Sequence, residues 1–256
     1  SSITITIKMH RLLKTLSGML FIIVALIAIA LGYLKTNSNI RNRVFASLCN
    51  SLANPNDTKM MNLRCDEILD KSRINGNVLE IGAGTGINLH CLHNNTNIKS
   101  WIAIEPNPYM KHYIDGYISK LNIKFQTKVL HISATKMVDI QSDSIDTVIM
   151  THVLCSIPDP LPREVLLEAH RVLKPGGKFY IMEHTIADRH VKPNMNTFQL
   201  LIGPLWKIIG DGCEFKPIAN YLDDMKHVYK SVTYQKFQAP IKLVIARDHI
   251  KGVLIK

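Results

Sequence analysis

The residues best suited to chemistry begin at Val78-Leu79-Glu80-Ile81-Gly82-Ala83-Gly84-Thr85-Gly86, where an apolar run carries a carboxylate near its end and passes into three alternate glycines. Glycines in this pattern let the backbone turn tightly and let a ligand approach the main chain. The spacing is GxGxG, since position 87 is Ile, and not the GxGxxG of dinucleotide-binding turns. A Gly-rich turn without a ligand is the plain alternative. Glu105 stands 19 residues after Gly86, at the end of a second apolar run. A carboxylate there can accept hydrogen bonds from both ribose hydroxyls of a nucleoside. His152 and His184 each follow a later apolar run, and histidine titrates near neutrality, so either can take a proton. A hydrogen-bonded structural role is open to each of them as well. Asp211, in Asp211-Gly212-Cys213, either lines a pocket or caps a turn. The cysteines at 49, 65, 91, 155 and 213 form no CxxC pair, which argues against a zinc ribbon or a dithiol redox motif. Their odd number fits reduced thiols, and Cys155 and Cys213 read as packed small hydrophobes. The histidines show no metal-ligand spacing, so no metal is expected.

These residues need a scaffold, and the chain supplies one by alternation. Apolar runs at Asn77–Ile81, Trp101–Ile104, Lys124–Ile132, Ser144–Met150 and Lys178–Met182 read as strands. Helical stretches fall between them, notably Tyr109–Leu121 and Arg163–Leu173, and Lys174-Pro175-Gly176-Gly177 reads as a turn before the fifth strand. Strands alternating with helices predict βαβ units, an α/β class and a mostly parallel sheet. His227–Phe237 and Ile241–Arg247 are candidates for a closing pair of strands, and Asn194–Gly212 has room for a helix covering a substrate. The 256 residues suit one large domain with an appendage, and 46% hydrophobic with 20% charged residues excludes disorder and low-complexity fibres. The net charge of +11 favours anionic partners without choosing among nucleic acid, lipid and acidic substrates.

Thr15–Leu34 is an uncharged run of 20 residues, about 30 Å long as a helix, which is the thickness of a hydrocarbon core. It predicts a membrane anchor. A cleaved signal peptide, supported by Ala28 and Ala30, and a buried core helix are the alternatives. Lys8, Arg11 and Lys14 before it balance Lys35, Arg41 and Arg43 after it, so the positive-inside count leaves orientation open. Met9 is a candidate start. The expected organisation is an anchor over 1–35, a linker with an amphipathic helix near Val44–Leu52 over 36–75, and a catalytic domain over 76–256.

Glu80-x-Gly82-x-Gly84-x-Gly86 after a strand resembles motif I of the class I S-adenosylmethionine (AdoMet)-dependent methyltransferases. Asp146-Thr-Val-Ile-Met-Thr-His-Val-Leu-Cys155 is similar to their fourth strand, and Arg171-Val-Leu-Lys-Pro-Gly-Gly-Lys-Phe179 to the segment before their fifth. Ile104-Glu-Pro-Asn-Pro108, Val153-Leu-Cys-Ser156, Phe179-Tyr-Ile-Met-Glu-His184 and Asp211-Gly-Cys213 narrow the likeness to the alkyl thiol S-methyltransferases of animal endoplasmic reticulum and lipid droplets. The resemblance implies a Rossmann-like fold with a seven-stranded sheet, and AdoMet as methyl donor without a metal. It implies transfer to the sulfur of small thiols, hydrogen sulfide included. It implies an endoplasmic reticulum or lipid-droplet membrane, with the catalytic domain on the cytosolic face where AdoMet is expected; the chain has no Asn-Pro-Pro-aromatic signature and its charge is dispersed, so no nucleic-acid partner is expected. Cofactor contacts then fall on Glu80, Gly82, Ala83, Gly84, Gly86, Glu105, Pro106 and Thr151, and His152, His184 and Asp211 are the catalytic candidates. One departure stands out. Family members often hold the adenine with an acidic residue after the third strand, but Ile132-Ser-Ala-Thr-Lys136 has none, so Ala134 and Thr135 are the expected adenine contacts. Asn56-Asp57-Thr58 and Asn94-Asn95-Thr96 match the glycosylation sequon and read as chance matches if AdoMet is met in the cytosol. A quinone or sterol acceptor and an inactive scaffold protein remain as alternatives.

Overall fold

The computed structural model describes the backbone of residues 2–256 and the side chains of residue 10 and residues 14–256. The chain divides into two units, Ser1–Arg41 and Asn42–Lys256. The first consists of helix α1 (Ser2–Thr36) and the opening turn of α2 (Ser38–Leu52). Asn37 separates the helices, and its Oδ1 accepts the Ile40 N–H at 3.1 Å, an N-cap that starts α2. Among the described residues, Lys14–Thr36 is long and apolar enough to cross a membrane, and none of its apolar window is buried.

The second unit is built on a seven-stranded sheet in the order β3-β2-β1-β4-β5-β7-β6. The strands are β1 (Gly76–Ile81), β2 (Ile98–Ile104), β3 (Gln126–Leu130), β4 (Ile145–Thr151), β5 (Leu173–His184), β6 (Ser231–Gln238) and β7 (Asp248–Ile255). All neighbours are parallel except β7, which runs antiparallel to both β5 and β6. β1 and β4 lie at the centre with both faces covered, so their sequences are nearly continuously apolar. Side chains alternate between the faces. Leu79, Ile81, Val148, Met150 and Phe179 pack on one face with residues of α6 (Pro162–Val172) and α8 (Ile218–Asp224). Val78, Trp101, Ile149 and Tyr180 pack on the other with Met60 and Met61 of α3 (Thr58–Asn62) and with Leu89, Leu92 and Ile114, from α4 (Leu89–Leu92) and α5 (Lys111–Lys120).

Three expectations change. The turn at Lys174–Gly177 lies inside β5, as a bulge: Ile145 pairs with Leu173 but Thr147 pairs with Lys178. The final strand is Asp248–Ile255 and not Ile241–Arg247, which forms a loop with a 3-10 turn at Val244–Ala246. Its pairing partner is the long β5, and His249 to Ile255 match His184 back to Lys178. Helix α7 (Pro193–Ile209) forms where a covering helix was expected, but contributes no residue to the cleft described below. The buried Gln199 fixes its inner face, accepting the Ala187 N–H and donating to Ile245 O, both at 2.7 Å, while Phe198, Leu200, Leu201, Leu205 and Ile209 stay exposed.

Candidate active site

β1 leads to β2 and β3 on one side of the sheet, whereas β4 leads to β5 on the other. A crevice therefore opens beyond the carboxyl ends of β1 and β4, where α/β sheets bind ligands. A cleft of about 530 Å³ lies there. Its lining includes Gly82, Ala83, Gly84, Thr85, Glu105, Pro106, Thr151, His152 and Asp211 from the expected set and its immediate neighbours.

The three glycines serve different needs. All have positive φ, at 65°, 56° and 86°. A Cβ on Gly82 would meet Val153 Cγ2 at 2.4 Å, and one on Gly86 would press on Ile114 Cα at 3.3 Å, so these two permit packing within the fold. A Cβ on Gly84 would meet nothing within 4 Å. Gly84 alone leaves its space to the cleft. Its N–H donates to Glu105 Oε2 at 2.8 Å, and the Asn107 N–H donates to Oε1 at 2.9 Å. Burial raises the Glu105 carboxyl above its ordinary pKa, and these two main-chain donors oppose the rise. The carboxylate is thereby held at the cleft lining, with further acceptor capacity left on its oxygens.

Glu80 is placed differently from the expectation. It is buried on the Val78 face of β1, outside the cleft lining, because alternation sends its side chain into the layer containing Trp101. Its carboxylate accepts from Asn88 Nδ2 and Trp101 Nε1, both at 2.8 Å. Burial pushes its pKa up to about 7, against the effect of both hydrogen bonds and of the Arg64 charge. Arg64 Nη1 donates to Asn88 Oδ1 at 2.5 Å and to Thr151 Oγ1 at 3.2 Å, and burial brings the guanidinium down to about 10. Glu80 thus acts through Asn88 on the cleft residues Arg64 and Thr151. Gly86, Ala134 and Thr135 also lie outside the lining. The Thr135 hydroxyl is 2.8 Å from Ser133 Oγ, and Ala134 packs against the core. Sequence reasoning missed Arg64, Asn88 and Asn107. Only Asn107 left a signal, as the turn-forming Asn of Glu-Pro-Asn-Pro; the partners of Arg64 are 24 and 87 residues away.

The rest of the cleft lining gathers side chains from distant segments. Phe45, Leu52, Met60, Met61, Ile157 and Ile241 make it apolar. Cys49 also lines it, and burial, followed by the charges of Glu105, Asp211 and Cys213, pushes its thiol up to about 12. His152 has φ 60°, and its Nε2 lies 3.0 Å from His249 Nε2. His249 Nδ1 is 3.1 Å from the Arg247 carbonyl, which assigns its proton to Nδ1. His152 then donates from Nε2 and keeps Nδ1 as its basic nitrogen. Burial first, then the charges of His249, Arg64 and His184, hold His152 well below its ordinary pKa, so it is neutral near pH 7.

His184 does not line the cleft. It ends β5 behind the cleft wall, with Nε2 2.7 Å from Cys213 Sγ, which in turn lies 3.2 Å from Cys155 Sγ. Burial lowers the His184 pKa, but the Cys213 contact and the nearby charges of Cys213 and Glu183 outweigh it and raise the value. The Cys213 thiol is lowered by its hydrogen bond with Cys155 first, with His184 and Trp206 adding to this against burial. Both cysteines are buried among the core residues, as packed small hydrophobes should be, and they also contact each other, Cys213 touching His184 as well. The expectation of reduced thiols throughout is corrected, because Cys65 and Cys91 form a disulfide. Cys65 sits in the turn Leu63–Ile68 and Cys91 in α4, and the fold brings their Cα atoms to 4.9 Å, within bridging range.

This strand order, glycine turn and held carboxylate define a class I AdoMet-dependent methyltransferase. The residues fit AdoMet: Gly84 leaves an open cradle, and Glu105 offers buried acceptors beside it. When bound, AdoMet supplies an electrophilic methyl group. The methyltransferase domain family matches residues 44–228, and the chain belongs to that family. It is 30% identical to thiol S-methyltransferase TMT1A of Homo sapiens over 181 residues, 70% of each chain. It is 28% identical to thiol S-methyltransferase TMT1B of Rattus norvegicus over 179 residues, again 70% of each. A SAM-dependent methyltransferase structure from Methanosarcina mazei shares the fold, with a TM-score of 0.57 at 18% identity, covering 72% of this chain and 95% of that one.

Proposed function

We propose that this enzyme transfers the methyl group of AdoMet to the sulfur of small, mainly apolar thiols, hydrogen sulfide included, at a membrane surface. The observation that carries this reading is the 30% identity to a relative named thiol S-methyltransferase. The apolar acceptor end of the cleft supports it, since charged thiols are costly to desolvate there. Transfer from a sulfonium is an in-line displacement, so alignment and exclusion of water are the protein's main tasks. A thiol with pKa about 8.5 is already a few per cent thiolate at neutral pH, which reduces the need for a strong base. Neutral His152, with Nδ1 free of its His249 contact, suits the modest role of taking the remaining proton. Asp211, on the same wall, serves the acceptor.

The segment Lys14–Thr36 anchors the chain in this reading, at the endoplasmic reticulum or a lipid droplet, and the exposed apolar residues of α7 suit a membrane surface. Carbonate extraction that stripped the full-length chain from membranes would remove the anchor. The cytosolic face is where AdoMet is expected. The Cys65–Cys91 disulfide favours the luminal side instead, since disulfides persist in oxidising compartments. Asn56 and Asn94 are exposed, so a glycan at either one selects the lumen.

The acceptor is tested by comparing an alkyl thiol with its alcohol analogue at saturating AdoMet. The thiol is methylated and the alcohol is not. Equal turnover of the two, or transfer to carbon alone, removes the thiol assignment and leaves the methyltransferase.

A further inference from the structure

Behind the acceptor end of the cleft lies a cluster that the proposed reaction does not use. Cys155, His184 and Cys213 are all buried, and one donor atom from each lies within 4.8 Å of the others. They come from three separate segments: the 3-10 turn after β4, the last residue of β5 and the loop after α7. Cys155 and Cys213 stay unbonded, although their sulfurs are 3.2 Å apart. Trp206 Nε1 donates to Cys213 Sγ at 3.4 Å.

We propose that Cys155, Cys213 and His184 bind a zinc ion whose remaining coordination position takes the sulfur of the acceptor thiol. Two thiolates and an imidazole are a zinc donor set, and soft sulfur ligands disfavour magnesium and calcium. Bonds of about 2.0–2.3 Å to zinc suit three donors this close, once Cys213 exchanges its contacts with His184 and Cys155 for the metal by moving roughly 1 Å or less. The Trp206 N–H then becomes an outer hydrogen bond to a coordinated sulfur, the kind of contact that orients metal ligands.

Three protein ligands leave a tetrahedral ion one exchangeable position, the arrangement of catalytic rather than structural zinc. The cluster adjoins the cleft wall: Ser156, next to Cys155, and Asp211, two residues before Cys213, both line the cleft. An incoming thiol would lose its proton to His152, and through it to solvent, as its sulfur bonds to zinc. The coordinated sulfur keeps lone pairs for the new bond to the methyl carbon, while the donor's carbon–sulfonium bond breaks and its electron pair stays on the departing sulfur. An alcohol oxygen is a poorer ligand in this sulfur-rich site. This second element rests on the thiol reading; the ion's binding does not.

The test uses the full-length chain in detergent, stripped of metal, reduced with a phosphine and shown by calorimetry to bind AdoMet. Cobalt(II) is the probe. It is expected to bind at one equivalent with a thiolate-to-cobalt charge-transfer band, and zinc is expected to displace it. Cys155→Ser and Cys213→Ser, each checked for retained AdoMet binding, should weaken cobalt affinity by more than roughly a hundredfold. The double variant Cys65→Ser/Cys91→Ser removes the other cysteine pair and should keep the band. If the wild-type chain shows no such band, or if it survives both Cys155→Ser and Cys213→Ser, the site is refuted. The wild-type outcome stands even if a variant fails to fold. Adding an alkyl thiol, but not its alcohol, should shift the cobalt spectrum, and no shift refutes the acceptor position. Thiol methylation by demonstrably metal-free protein refutes the zinc role and leaves the thiol reading intact. A cobalt site in a protein that never methylates thiols has the opposite consequence.

Discussion

Two groups of residues in the cleft lining, a donor end and an acceptor end by the roles proposed for them, are built on different principles. The donor end is mostly main chain: a glycine turn between β1 and α4, and a carboxylate held by the Gly84 and Asn107 N–H groups. Its parts lie within about thirty residues of one another and follow two adjacent strands. The acceptor end is built from side chains of α2, the segment before β1, the residues after β4 and the loop after α7. Backbone geometry can be encoded in a short motif, whereas a pocket wall assembled from distant segments cannot. Substitutions at the donor end should therefore show in AdoMet affinity, and those at the acceptor end in turnover.

The harshest way to break that contrast is Gly84→Arg. The side chain would fill the space a ligand needs, at a positive φ that only glycine adopts readily, and calorimetry should detect no AdoMet binding. Next comes the buried support beneath this end. The Glu80 carboxyl, raised to about 7, keeps a proton in the folded chain that the unfolded chain releases above the ordinary value of 4.5. The folded state binds more protons in that window, so this group's contribution makes stability fall as pH rises from 4.5 to about 7, by about 3 kcal/mol at most. Urea titrations across that range should show a shallower fall for Glu80→Gln.

Glu105→Ala removes the two held acceptors and should cost about 1.5–3 kcal/mol, or roughly tenfold to a hundredfold in AdoMet affinity. Binding as tight as the parent's would mean that the ribose sits elsewhere. The smallest expected effect sharpens the comparison from the other side. His152→Ala should lower turnover roughly tenfold while AdoMet affinity stays within about a factor of two. Equal losses in both would erase the division between the ends.

The donor end was legible because each of its requirements is local. Gly82-x-Gly84-x-Gly86 and the Glu105 spacing sufficed to locate the turn and the carboxylate held beside it, and the alternation of apolar runs predicted the parallel sheet. Glu80 shows the limit of that reasoning. The motif picked it out, but only the pleat reveals that it faces Trp101 and Asn88, away from the cleft. Likewise, the apolar sequence of α7 could not say which way the helix turns; Gln199 decides this through Ala187 and Ile245.

The class of fold, the position of the glycine turn and the place of Glu105 were readable from local pattern, because hydrophobic periodicity and glycine's conformational freedom act over a few residues. The states of the cysteines follow from the folded chain. Cys65 and Cys91 are 26 residues apart and bonded, whereas Cys155 and Cys213 are 58 residues apart, in contact and unbonded beside His184. No local pattern distinguishes these pairs, since sulfur chemistry depends on distance and on neighbouring donors, and the packing of the strands and helices sets both.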